Sequence, residues 1–208
     1  MVQNIAGTTK QQLHMKKIIY VLLSLALITS CSIKKSDSDN KAAFDKYVKS
    51  LNQITLPLYH SSHEEEFSNV PKLYDTVGFE KYKHVWTSLP LGKLYENDSI
   101  IVLVDLSYGD FGQVPFITSF DRNGNKIDSL GPYKKTGSDM GYSAVEFVTF
   151  NKDWTIMVAD TVKVWKLNSD ESDVFPNSET ITIDTTYYKI DKLGKIIQVV
   201  SGCNKPKQ

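Results

Sequence analysis

Over residues 93–200 the apolar positions recur with a period of two, and three short polar turns break the run. Alternation at that spacing sends successive side chains to opposite faces of an extended chain, so this half is committed to β-structure. Residues 114–120 and 126–130 flank Asp121-Arg122-Asn123-Gly124-Asn125, where Asn-Gly is a strong hairpin signal. Residues 144–150 and 155–167 flank Asn151-Lys152-Asp153, and residues 180–190 and 195–200 flank Asp191-Lys192-Leu193-Gly194. Three hairpins in succession predict an antiparallel meander with local connections, in which acidic 168–179 is the one long loop. The segment 99–107 (SIIVLVDLS) is apolar on both of its faces and predicts a central strand.

Ahead of the strands the period changes. Phe44, Tyr47, Val48 and Leu51 stand at i, i+3, i+4 and i+7, which predicts a helix over 40–52 with Asp39 or Asn40 as its cap. Phe79, Tyr82, Val85 and Trp86 repeat the spacing and predict a short helix before Pro90. Between the two, residues 60–71 are polar and read as loop. The expected fold is α+β: an N-terminal helix or helices packed on a curled antiparallel β-meander of about seven or eight strands. A chain of 208 residues suffices for one domain with a real core, here residues 41–208.

Residues 15–31 read MKKIIYVLLSLALITSC. The pair Lys16 and Lys17 precedes an apolar run over 18–28, roughly 16 Å long as a helix. The hydrocarbon core of a bilayer is roughly 30 Å thick, so the run fits the h-region of a signal peptide rather than a membrane span. Ile28-Thr29-Ser30-Cys31 resembles the lipobox of bacterial lipoproteins: aliphatic, small, small, cysteine. The resemblance implies cleavage before Cys31, lipid on its thiol and, usually, an acylated amine, and so attachment to a membrane; stable anchoring takes two or more acyl chains. Residues 1–14 depart from that pattern, and Met15 is the natural start. The polar stretch 31–40 then reads as a lipidated tether. Ser32 occupies the place where an aspartate typically retains such lipoproteins at the inner membrane, so the resemblance favours the outer membrane, on its periplasmic or its surface side. Residues 92–166 are also similar to uncharacterised lipoproteins of Gram-negative bacteria, through Leu91-Gly92-Lys93-Leu94, the hairpin over 118–130 and a strand opened by Lys152-Asp153. That likeness speaks to fold alone.

Charge excludes several functions. Removing residues 1–30 takes away three lysines and no acid, leaving 21 basic against 24 acidic residues, which gives nucleic acid no electrostatic footprint. Arg122 is the sole arginine, so bidentate anion recognition has little to work with. His60 and His63 are the candidate metal ligands: on a helix, residues three apart share a face, but the segment lacks the H-E-x-x-H order and a third ligand. Asp121 to Asn125 begins like a calcium loop, yet Lys126 and Pro132 stand where such a loop needs glycine and glutamate. No G-x-G-x-x-G, P-loop or serine–histidine pattern is present. Cys203 is the only other cysteine. The expectation is a lipid-anchored envelope protein with a non-catalytic domain that binds a protein or a glycan, without catalytic residue or cofactor. A hydrolase-type enzyme using carboxylates, or a structural envelope protein without a small ligand, are the alternatives.

Overall fold

The computed structural model describes residues 32–63 and 66–199; the leader with Met15, the lipobox with Cys31, the pair Glu64-Glu65 and Cys203 lie outside them. The chain divides into two compact units, Met1–Ala42 and Ala43–Gln208. Among the described residues there are two helices, α1 (Ser32–Lys49) and α2 (Thr76–Tyr82). The strands are β1 (Leu58–Ser61), β2 (Leu89–Glu96), β3 (Ile100–Gly109), β4 (Gly112–Asp121), β5 (Lys126–Leu130), β6 (Gly137–Asp139), β7 (Tyr142–Phe150), β8 (Thr155–Val164), β9 (Thr180–Ile190) and β10 (Ile196–Val199). The protein is mostly β with antiparallel sheets, as the alternation requires.

The strands form two sheets, not one. Strands β2-β3-β4-β5 make a four-stranded meander, and β1-β7-β8-β9-β10 make a second sheet in which β6 also pairs with β7. The expected single sheet of seven or eight strands is thus corrected to ten strands in two layers. All three expected hairpins form, as β4–β5, β7–β8 and β9–β10. The chain changes sheets between β5 and β6, where a period of two carries no information about which strands share a layer.

Two of the turns are built alike. Asp121 N–H donates to the Asn125 carbonyl (2.9 Å) and Gly124 N–H to the Asp121 carbonyl (3.1 Å). Asp191, Lys195 and Gly194 repeat this pair at 2.9 and 3.1 Å. In each turn the aspartate Oδ1 also accepts two backbone N–H groups, from Asn123 and Asn125 in one and from Leu193 and Lys195 in the other. Gly124 and Gly194 have φ of 80° and 83°, a region that glycine enters without steric penalty. Pro115 interrupts no ladder, because β5 pairs with β4 only from Ile117 onward and leaves that side of Pro115 unpaired.

Burial on both faces of β3 shows why 99–107 is apolar throughout. Ile100, Val102, Val104 and Leu106 join Val148, Phe150, Ile156, Val158 and Ile190 of the other sheet in one core cluster. Ile101 and Leu103 face the opposite way, into a second cluster with Phe44, Tyr47, Val48, Leu51, Phe79, Tyr82 and Phe120. A fully buried Val, Leu or Ile contributes about 1.5–3 kcal/mol relative to exposure, and β3 supplies six of them to two cores at once. The helical face of Phe44, Tyr47 and Val48 is as expected, and Leu51 extends it just past α1. That helix starts at Ser32 rather than near 40, its early turns carrying no apolar stripe. α2 is capped by Asp75, whose side chain accepts from Gly78 N–H, and it ends at Tyr82. Val85 and Trp86, expected on its buried face, lie beyond it and are exposed.

β1 corrects the reading of 60–71 as loop from the start. Its polar residues are buried because the second sheet satisfies them: Ser62 N–H donates to the Glu146 carbonyl (2.8 Å), and Glu146 N–H to Ser62 Oγ (3.0 Å).

Candidate functional site

The two histidines named by the sequence part company. His60 lies in a strand, where the helical i, i+3 relation does not apply; it is buried and stacks on Phe67 with ring centroids 3.8 Å apart. Tyr133 Oη donates to the His60 carbonyl (2.9 Å), so the imidazole Nδ1, 2.9 Å from the same oxygen, is the donor in their second contact. His63 is exposed and stacks on Phe111 instead, at 5.0 Å. Among the described residues no three His, Cys, Asp or Glu side chains are grouped to hold a metal. Asp121 spends both carboxylate oxygens on its own turn.

The buried acids are tied into the fold. Glu146 and Asp160 stand directly opposite each other on β7 and β8, with the exposed Asp184 opposite Asp160 on β9. The Glu146 carboxylate accepts the backbone N–H groups of Lys134, Lys135 and Thr136, at 2.6–2.9 Å, and the Thr136 hydroxyl at 2.9 Å. Lys135 Nζ is 2.7 Å from Asp160 and 3.5 Å from Asp184. That neighbourhood, Asp160 above all, holds the lysine above its usual pKa. On the opposite sheet Asp105 is 2 % exposed beneath the helices, and Oδ2 accepts His84 N–H at 3.2 Å. Burial pushes this carboxyl up to about 7, against the opposing pull of His84 N–H and Lys83. Asp105 lines neither of the two cavities described next.

A cavity of about 450 Å³ is bounded by residues 52–55 and 67–72 together with Leu58 and Leu91; none of these is an acid or a histidine. A second, of about 290 Å³, lies around the β3–β4 turn and carries Asp110 and Lys134. Neither gathers two carboxylates or an acid with a histidine, which is the minimum for carboxylate-based hydrolysis.

The feature that stands out is the outward face of the six-stranded sheet. Ala144, Glu146, Val148 and Phe150 on β7, and Ile156, Val158, Asp160 and Val162 on β8, point inward and are buried. Their alternates form rows across the sheet. One row runs Tyr59, Thr149, Met157, Tyr187, Val199 over five strands. Beside it lie Ser61-Phe147-Ala159-Thr185, then Val145-Thr161-Ile183, then Ser143-Lys163-Ile181. On the other side stand Thr155, Lys189 and Ile197. Ile183 is 72 % exposed and Tyr59 55 %, and the Tyr59 and Phe147 rings stack at 6.1 Å. Strand spacing and rise give these rows an extent of roughly 20 by 27 Å, on the order of 500 Å². Within that extent the apolar members, Tyr59, Val145, Phe147, Met157, Ile181, Ile183, Tyr187, Ile197 and Val199, are interleaved with threonine, serine and lysine.

No carboxylate belongs to these rows, and their cations, Lys163 and Lys189, sit at opposite ends; Lys163 is 3.3 Å from Glu179. The sequence did not point to this face, because the rows depend on register across four hydrogen-bonded pairings that no local pattern encodes. Set against models of protein families, curated proteins and solved structures, this chain matches none.

Proposed function

We propose that this protein is a lipid-anchored component of the bacterial cell envelope whose domain binds another protein on the outward face of its six-stranded sheet. The observation that carries the binding role is that face: Tyr59, Ile181, Ile183, Tyr187, Ile197 and Val199 exposed on it, with lysine at either end and no acid in its rows. Aliphatic side chains outnumber rings there, which favours a protein surface over a sugar; basic ends favour a partner with an acidic rim. Anchoring rests on the lipobox-like Ile28-Thr29-Ser30-Cys31 behind its short apolar run. Lipid on Cys31 would keep the face at a membrane surface, where a modest interface gains from local concentration.

Two measurements test the two halves. Labelled palmitate should enter the native chain and not Cys31→Ser, and the variant should leave the membrane fraction; incorporation that survives the substitution removes the anchor. A photo-crosslinking residue at Ile183 should give one discrete protein adduct in the native cell, while the same residue at Glu80 gives none. Equal labelling at both positions, or a glycan adduct at 183, would overturn the protein-binding role.

A further inference from the structure

The four-stranded sheet has an unfinished edge. At β2 the segment 52–55 lies alongside as a short parallel addition: Lys93 N–H donates to the Asn52 carbonyl (2.9 Å), and Ile54 N–H to the Lys93 carbonyl (2.8 Å). In a parallel bridge of this form the central residue, Gln53, turns its own N–H and C=O away from β2. Its side chain reinforces the attachment, with Nε2 donating to the Lys93 and Leu94 carbonyls at 3.0 and 3.1 Å. Gly92 permits the approach: a Cβ there would lie 2.6 Å from the Asn52 carbonyl oxygen, so any larger residue would push the segment off the edge. Residues 52–55 also form one wall of the 450 Å³ cavity, and 67–72 form another. The second wall is fixed, since Phe67 N–H donates to the buried Gln113 Oε1 at 2.7 Å and Pro71 is itself buried.

We infer that this groove binds an extended, acidic peptide segment of a partner protein, which adds as a strand beside Gln53. Three observations argue for that occupant. The Gln53 N–H and C=O offer one donor and one acceptor on the side of an extended segment where no strand follows, which is what strand addition uses. The four residues of 52–55 span about 13 Å, enough for three or four residues of a paired strand. Leu58, Phe67 and Leu91 supply an apolar floor for one side chain, and Lys72 is the only charged residue in the lining, so complementarity calls for a carboxylate on the peptide. This site is separate from the outward sheet face proposed above and does not depend on it.

A library of capped hexapeptides, screened against the full chain, supplies the probes. Binders should combine an apolar residue with an acid and should shift the amide resonance of Gln53. N-methylation at alternate peptide nitrogens should weaken them about tenfold, the effect of losing one or two hydrogen bonds. Lys72→Glu should weaken acidic binders, and Ser68→Trp, which fills the groove from an exposed wall, should abolish binding while the unfolding midpoint stays put. Binding that tolerates N-methylation would overturn the inference. So would shifts confined to Ile183, a library without binders below about 1 mM, or maltose moving Gln53 where no peptide does.

Discussion

Asp105 is held where a charge is costly. Unfolded, its carboxyl titrates near 3.8; folded, near 7. Between those values the folded chain keeps a proton that the unfolded chain has released. The contribution is therefore complete below pH 4 and is lost as pH rises through 7. Three pH units correspond to about 4 kcal/mol at the alkaline end. Asp105→Asn, which keeps an oxygen for His84 N–H and cannot ionise, should flatten the dependence: urea midpoints at pH 5 and pH 8.5 should converge, with the variant the more stable at pH 8.5. Glu146 is held by hydrogen bonds instead, its carboxyl oxygens occupied by N–H and O–H donors. Glu146→Gln turns one acceptor into a donor facing donors, and should cost about 2–4 kcal/mol in urea unfolding. Neither role was legible in the sequence: Asp105 is a lone acid in an otherwise apolar run, Glu146 sits in ordinary alternation, and both are explained by partners distant in the chain. His60 shows the same limit. Its neighbours Ser61, Ser62 and His63 make it look solvated, and only Phe67 and Tyr133 reveal why it is buried.

Among the elements, the hairpins were the most legible because their information is local. Asp-x-x-Gly fixes both the β4–β5 and the β9–β10 turns through the same two backbone hydrogen bonds. Gly124 carries an additional demand: a Cβ there would come within 2.8 Å of Phe44 Cβ, at a φ that L-residues avoid. Gly124→Ala should cost about 2 kcal/mol or more, measured by thermal unfolding, and should loosen α1 from the sheet as well as the turn itself. β3 was legible too, since burial on two sides leaves an unbroken apolar run. β1 and β6 were not. At four and three residues they are too short for a period to register, and Ser62 and Glu146 exchange the hydrogen bonds that extend the β1 edge. The apolar spacing of Val85 and Trp86 misled for another reason: the helix stops at Tyr82, where Lys83 leaves helical geometry.

For the molecule as a whole, the partition into two sheets decides what can be offered to a partner. A single curled meander would bury one face of every strand against helices. Two layers instead place residues 44–51 and α2 over the smaller sheet and, among the described residues, leave the larger one uncovered on its outward side. Because Ile183 makes no core contact, Ile183→Lys should leave stability within about 0.5 kcal/mol of the native chain while removing photo-adducts at a neighbouring position such as Tyr187. An equal loss of stability would mean that the face serves the fold rather than a partner. The chain crosses between the sheets twice, over residues 62–88 and 131–136, and the shorter crossing has a consequence for how copies of this chain treat one another. Glu146 grips its last three residues, and Tyr133 is pinned to His60, so only Gly131 and Pro132 are left to swing. Two residues reach about 7 Å, too little to deliver β6–β10 onto a neighbour's first sheet. Strands β6–β10 of each molecule should therefore stay with its own first sheet, and concentrating the protein should not exchange them between copies.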